Sequence, residues 1–395
     1  MAILDDINTI VVVMLESRSF DKVLGHMLSG EHDGRRGIHG PSEAEHVPPH
    51  GSVQSYLNHT GGGVNPPARM AFLTPKDVPV SNFFARQFLV CDHWFSHVPP
   101  APTPNRSPGS SGRAISGNTA AHTSPVCDGS FIFDWLNARK VDWRVYHSGL
   151  SFFMLFNRFQ AGDGPRFRHV RDFAADYLSG PAHAQPSVIF IEPEYTDSQV
   201  DSTNAASHGD DFLREIYTTL SSDPKKFAQT LLIATCDEHG GFFDHVPPPV
   251  ETRARAGASF TAPFAGPGPR VPAMIVSPRI GAAMVFKGRM DHTSILQLLA
   301  EKFDPGTDYN DEVRRRRLAG VQSVGVALAQ AAGPLRDNIP PVPDTAGAGG
   351  EHPLRASPAA NQPSFACECD DQCARAAPAR TVVGMTGNSD AATTS

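Results

Sequence analysis

The sequence predicts an α/β fold, a mainly parallel central sheet with helices on both faces, and three observations carry that prediction. Short β-branched apolar runs alternate with helical patterns along the chain. The runs are apolar almost throughout instead of alternating, as strands covered on both faces are. Acidic or turn residues follow several of them directly, so polar groups gather along one sheet edge, where open α/β folds bind ligands.

The first predicted strand is Ile7 to Leu15, INTIVVVML, bounded by acids, with Glu16 at its carboxyl end. Further strands are expected at Ser187 to Ile191, Thr230 to Thr235 and Val271 to Val276. Between the second and third, Asp210 to Leu220 places Phe212, Leu213, Ile216, Tyr217 and Leu220 on one face of a packing helix. A later helix, Asp291 to Phe303, opens with polar capping residues and continues with Ile295, Leu296, Leu298 and Leu299 at buried-face spacing. Residues 26–80 and 97–130 are rich in Gly, Pro, Ser and His, and long irregular loops of this kind are expected to shape the substrate entrance.

With 395 residues, 40% of them hydrophobic, the chain can bury one large core or two coupled subdomains. The expected division is a catalytic domain over 1–332 and a tail over 333–395, where Ala, Pro, Gly, Ser and Thr dominate and too few bulky residues remain to offset the entropy of ordering. A formal charge of -7 offers no broad attraction to nucleic acid or anionic membranes, and nucleic acid is not an expected partner. No apolar run approaches the roughly 20 residues of a spanning helix, and the start MAILDDINTIVVVML lacks the basic opening and long apolar middle of a secretory signal. The expected location is cytoplasmic as written, and outside the cell if a leader precedes this start. Cys91, Cys127 and Cys236 stand singly and read as packed thiols. The tail cluster CECDDQC, with Cys367, Cys369 and Cys373, lacks a clear fourth metal ligand and reads as an incidental thiol cluster.

The densest local chemistry is TCDEHGGFFDHV, Thr235 to Val246, where two carboxylates and a histidine follow a buried strand and a Gly pair turns the chain. Asp237 and Glu238 offer hard oxygen ligands for a divalent cation. His239 can bind metal, contact phosphate or protonate a leaving group, and His245 can do the same or serve as a structural hydrogen-bonding residue. An isolated DEH tripeptide is more often a capped, solvated strand end. Glu16 at the end of the first strand adds a third carboxylate.

In order, the segments INTIVVVMLESRSFDKVLGHM, FARQFLVCDHWFSHVPPAPTPNR, IFDWLNARKVDWRVY, DEHGGFFDHVPPP, VPAMIVSPRI and MDHTSILQLLAEKF resemble the phosphoesterase family of bacterial phospholipases C and related acid phosphatases, within the alkaline phosphatase superfamily. The resemblance runs from about residue 7 to residue 305 and implies an alkaline phosphatase-like fold. It implies a metal site of Glu16, Ser17, Ser111, Asp237 and Glu238, with calcium, magnesium, manganese or zinc as the cation. Ser111, before Gly112 in PNRSPGSSG, takes the place of the nucleophile, with Ser110 the neighbouring alternative. A free serine is a weak nucleophile at neutral pH, so a bound cation is needed to favour its alkoxide and to neutralise phosphate charge. The implied reaction is in-line attack by Ser111 on phosphorus, release of an alcohol and hydrolysis of the phosphoserine, with His239 as acid/base or phosphate contact.

Substrate-binding candidates are Asn105, Arg106, His208, His245 and His292. Arg106 either grips phosphate bidentately or braces the nucleophile loop against a carboxylate. Two departures from the family pattern stand out. Ser17 replaces the usual Asn, and DSQVDSTNAASHGDD replaces an Asp-rich stretch with a His-Pro pair, leaving Asp201, Asn204 and His208 as unranked substitutes. Phospholipase C-type hydrolysis of a phosphate ester or phospholipid is the leading expectation. The alternatives are an acid phosphatase-like phosphomonoesterase and a binding protein that holds a phosphorylated ligand in a weakened site.

Overall fold

In the computed structural model, eight strands form one sheet and two more pair as a separate ribbon. The structure describes residues 2–27, 73–97, 106, 131–155, 164–181, 184–194, 203–240, 242, 244–246, 248–249 and 267–344. All of these lie in the first of the chain's two units, Met1–Pro358.

The strands are β1 (Thr9–Leu15), β2 (Leu89–Cys91), β3 (Trp94–Phe95), β4 (Trp143–His147), β5 (Phe167–His169), β6 (Val188–Glu192), β7 (Thr230–Cys236), β8 (Ala273–Val276), β9 (Met284–Phe286) and β10 (Met290–Asp291). The described helices are α1 (Ala2–Asp5), α2 (Phe20–Leu24), α3 (Pro79–Gln87), α4 (Ile132–Ala138), α5 (Phe173–Leu178), α6 (Thr203–Ser221), α7 (Pro224–Phe227), α8 (Thr293–Phe303), α9 (Asp311–Leu318) and α10 (Val324–Ala331).

The strand β1 is central because its sequence suits nowhere else. It pairs in parallel with β6 on one side and β7 on the other, and Ile10, Val11, Val12 and Val13 are all buried, which explains why its apolar run does not alternate. The parallel pairing continues through β4 to β5, while β8 runs antiparallel to both β7 and β2. The sheet is therefore mixed, in the order β5-β4-β6-β1-β7-β8-β2-β9, with β1 inside the parallel run β5-β4-β6-β1-β7. Register aligns His147 with Glu192 and Leu15 with Cys236, so the carboxyl ends of β4, β6, β1 and β7 open on the same edge. A separate two-stranded parallel ribbon pairs β3 with β10.

The helices gather in two groups, α3 and α5 against α6, and α9 and α10 against α8. In α6 the five predicted apolar positions, Phe212 to Leu220, are all buried. Phe133 of α4 stacks on Trp143 at 3.8 Å between ring centroids and meets Phe153, Phe167 and Phe190 edge-on, an aromatic core under the β4–β6 side. Cys91 and Cys236 are buried free thiols. Cys127 and the CECDDQC cluster lie outside the described residues, as do most of 26–80 and 97–130.

Residues 333–344, which composition assigns to the tail, lie along the body of the domain. Arg336 donates to the carbonyls of Ile280 and Gln87 and its guanidinium lies 4.9 Å from the Phe88 ring. Tyr217 donates to the Pro340 carbonyl at 2.7 Å, and Arg214 pairs with Asp344 at 2.8 Å. No described helix is long and apolar enough to cross a membrane.

Candidate active site

The parallel ladder between β1 and β7 carries one step past the strands, with the Asp237 N–H donating to the Leu15 carbonyl at 3.0 Å. That step sets Glu16 and Ser17 beside Asp237 and Glu238. Ser17 takes a left-handed conformation, φ +44°, and its N–H turns to donate to Asp237 Oδ1 at 2.8 Å. The Ser17 hydroxyl donates to Glu238 Oε1, also at 2.8 Å. Gly240, at φ +64°, supplies the reverse turn. A Cβ there would lie 2.4 Å from the Ser17 carbonyl oxygen, so only glycine lets the two strand ends meet. The Gly240 N–H donates to the other oxygen of Glu238 at 2.9 Å.

Arg106 enters this pair of strand ends from a distant part of the chain. It is 6% exposed, donates from Nε to Asp237 Oδ2 at 2.8 Å, and its Nη2 lies 3.5 Å from Glu16 Oε1. Of the two roles expected for it, bracing against a carboxylate is the one its contacts display. Asp237 is fully buried and its carboxyl is pushed above the usual range because burial outweighs the pull of Arg106. Burial works against ionised Glu238 as well, but the hydrogen bond and charge of His239 together with the Ser17 hydroxyl hold it below the usual range. His239 Nδ1 lies 3.3 Å from Glu238 Oε2. Two adjacent buried carboxylates and a third from Glu16 make a hard oxygen donor set of the kind a divalent cation takes, with Arg106 and Arg18, whose Nη1 donates to the Ser17 carbonyl at 2.7 Å, as the guanidinium groups beside it.

The remaining candidates fall elsewhere. His292 is fully buried with both ring nitrogens engaged: Nδ1 accepts from the Trp94 indole at 3.1 Å, and Nε2 donates to the Asp237 carbonyl at 2.7 Å. Burial pushes it down to about 4. It faces the interior, which leaves it no nitrogen for the substrate contact expected from sequence. His208 is exposed on α6, and no hydrogen bond among the described residues ties it to the carboxylates. Ser111, Ser110, Asn105 and Asp201 lie outside the described residues, as does the Asn204 side chain.

His245 belongs to a second cluster. Its Nδ1 lies 2.9 and 2.8 Å from the two Asp21 oxygens, and with Asp244 these residues are close enough to surround an ion. Arg270 already fills that role. Its Nε donates to Asp244 at 2.9 Å, Nη1 to Asp92 at 3.0 Å and Nη2 to Asp21 at 3.0 Å, and it is fully buried. Backbone N–H groups of Asp21, His245 and Val246 complete the set. With its carboxylates bound by protein donors, this hub ties α2, the turn after β7 and the approach to β8 together. Asp92 and Arg270 carried no signal in the sequence reading, because a buried ion hub has no periodicity of its own.

A family model described as the phosphoesterase family matches residues 39–304. Non-specific phospholipase C6 of Arabidopsis thaliana is 28% identical over 365 residues, covering 77% of this chain and 69% of that protein. Phospholipase C A of Mycobacterium tuberculosis is 26% identical over 385 residues, covering 76% of this chain and 73% of that protein. A solved structure of a protein in the alkaline phosphatase superfamily from Vibrio parahaemolyticus aligns with a TM-score of 0.42 at 11% identity, covering 75% of this chain and 66% of that one.

Proposed function

Because the chain belongs to the phosphoesterase family and is a hydrolase acting on phosphoric ester bonds, we propose that it cleaves phosphodiesters in the manner of a phospholipase C, with Ser111 as nucleophile. The observation that carries the proposal is the convergence of Glu16, Ser17, Arg106, Asp237 and Glu238 at the joined ends of β1 and β7. Arg106 stands five residues before Ser111, a span of at most about 17 Å of extended chain. With Arg106 anchored on Asp237, that chain length is short enough for Ser111 to reach the carboxylates.

Glu16, Ser17, Asp237 and Glu238, with Ser111, would hold a divalent cation of the calcium, magnesium, manganese or zinc group. Once bound, that cation supplies Lewis acidity toward phosphate and favours the Ser111 alkoxide. The protein's own residues do the rest. Arg106 braces Asp237 through Nε and Nη2, both 2.8 Å from Oδ2, and sets its positive charge where it offsets that of the phosphate. His239, beside Glu238, holds the proton that the departing alcohol takes. In the first step the Ser111 hydroxyl proton passes to solvent, the Oγ–P bond forms, the ester P–O bond to the alcohol breaks, and the alcohol leaves with the proton from His239. The head group stays on the phosphorylated serine. In the second step water gives a proton to His239 and attacks phosphorus, the Ser111 Oγ–P bond breaks, the serine oxygen is reprotonated from solvent, and the phosphorylated head group departs.

The test is hydrolysis of p-nitrophenylphosphate, p-nitrophenylphosphorylcholine and phosphatidylcholine, with and without chelator and added cations. Ser111→Ala is expected to lower turnover by about a thousandfold or more while the protein stays folded, and Asp237→Asn to lower both cation occupancy and rate. Preference for the choline esters supports phospholipase C action, and preference for the monoester points to a phosphatase. Normal turnover by folded Ser111→Ala protein sinks the nucleophile assignment.

A further inference from the structure

We infer that His292 is a positioning residue for the Asp237–Glu238 carboxylate pair, fixed in one tautomer by Trp94. The inference rests on the cation reading above and extends it to a residue outside the ligand set.

The hydrogen-bond chemistry leaves one assignment. The indole N–H of Trp94 can only donate, so His292 Nδ1 carries the lone pair. A backbone carbonyl can only accept, so the hydrogen sits on Nε2 and points at the Asp237 oxygen. The ribbon of β3 and β10 makes this possible, pairing Met290 with Trp94 and Asp291 with Phe95 so that the indole stands beside the next residue, His292.

The imidazole holds a peptide that has left the sheet. β7 ends at Cys236, so the Asp237 carbonyl has left the ladder and has no strand partner. The Asp237 N–H is fixed by Leu15 and its carbonyl by His292, which clamps the residue at both ends. The Glu238 N–H in turn donates to Asp237 Oδ1 at 2.7 Å, so the direction of that peptide governs both carboxylates. His292 occupies the N-cap position of α8 and makes no cap bond to its own helix, and Asp291 caps instead, accepting from the Thr293 N–H at 2.8 Å. The histidine side chain is thereby free to serve the neighbouring strand.

The experiment uses the full chain as wild type, His292→Gln, His292→Phe, Trp94→Phe and Asp237→Asn. Manganese affinity, kcat and KM for p-nitrophenylphosphate and thermal unfolding are measured for each. The ring tautomer is read at pH 7 from two-bond proton–nitrogen NMR of the metal-free wild type, with the His292 signal identified by its loss in His292→Gln. The expected spectrum has the proton on Nε2. His292→Phe is expected to lose about ten- to a hundredfold in manganese affinity and kcat, with a smaller change in KM. Gln, which keeps an N–H donor at that reach, is expected to restore most of both. Should His292→Phe not fold, Trp94→Phe carries the comparison, with a severalfold loss expected because the ring is then no longer held to one tautomer. A proton on Nδ1, a folded His292→Phe with wild-type affinity and kcat, or a His292→Gln as impaired as the phenylalanine variant overturns the inference. If wild type and Asp237→Asn bind manganese equally poorly, the cation reading fails instead, and the tautomer alone decides the clamp.

Discussion

At the scale of single residues, the meeting of β1 and β7 depends on two left-handed backbones, Ser17 and Gly240, that lie against each other. Asn is several-fold enriched in this conformation among non-glycine residues, so Ser17 holds it at a higher backbone cost than the Asn that the family resemblance implies there. Gly240→Ala combines a strained φ with a Cβ placed inside the Ser17 carbonyl. It is expected to cost about 2 kcal/mol or more in stability, and to lower cation affinity because Ser17 can no longer reach both acids. Thermal unfolding and cation titration of the variant check this, and an alanine variant equal to wild type in both would remove the close approach from the account. The acids themselves were legible, since Glu16, Asp237 and Glu238 stand directly after apolar runs. The inward turn of His292 was not, because the Trp94 that captures it lies 198 residues away in sequence.

At the scale of elements, α3 and α6 are joined by a carboxylate from one helix that serves the start of the other. Asp210 accepts from the N–H groups of Val80 and Ser81 and from the Ser81 hydroxyl, and it is 2% exposed. Burial pushes its carboxyl up to about 7, against the pull of those hydrogen bonds. A folded state that holds a proton more tightly than the unfolded chain gains stability at low pH. The contribution is full below the ordinary value of 3.8 and is lost as pH rises through about 7. Relative to Asp210→Asn, the wild type is expected to lose stability steadily between pH 4 and pH 7, and equal slopes in melts across that range would refute the buried-proton account. The helix itself was read from its apolar face, but it begins at Thr203, seven residues before the predicted start, because the polar opening turns carry no hydrophobic period. Strands β1, β6, β7 and β8 were legible as unbroken apolar runs. The other six carry too little pattern to be read: β4 mixes Arg144 and His147 into five residues, β2, β5 and β9 have three residues each, and β3 and β10 two.

At the scale of the whole molecule, the body of the fold reaches beyond the composition change near residue 333. Arg336 makes two hydrogen bonds and a cation–π contact with elements far from it in sequence. Hydrogen bonds to charged groups contribute about 1.5–3 kcal/mol each. A chain ending at 332 is therefore expected to melt several degrees below one ending at 344, whereas the chain ending at 344 is expected to match the full sequence. Differential scanning calorimetry of the three separates the outcomes, and equal melting of the 332 and 344 chains would show the segment to be dispensable.

The placement of β1 has a further consequence for how the protein is made. Its two neighbours, β6 and β7, begin at Val188 and Thr230, so this apolar strand leaves the ribosome long before either exists to cover it. At about 5–20 residues per second, some 180 residues of further synthesis last roughly 10–40 seconds. Throughout that interval INTIVVVML is a bare strand with two open edges, a template for pairing with any other nascent chain. A chaperone that holds such a segment shields both open edges, and faster synthesis shortens the exposure.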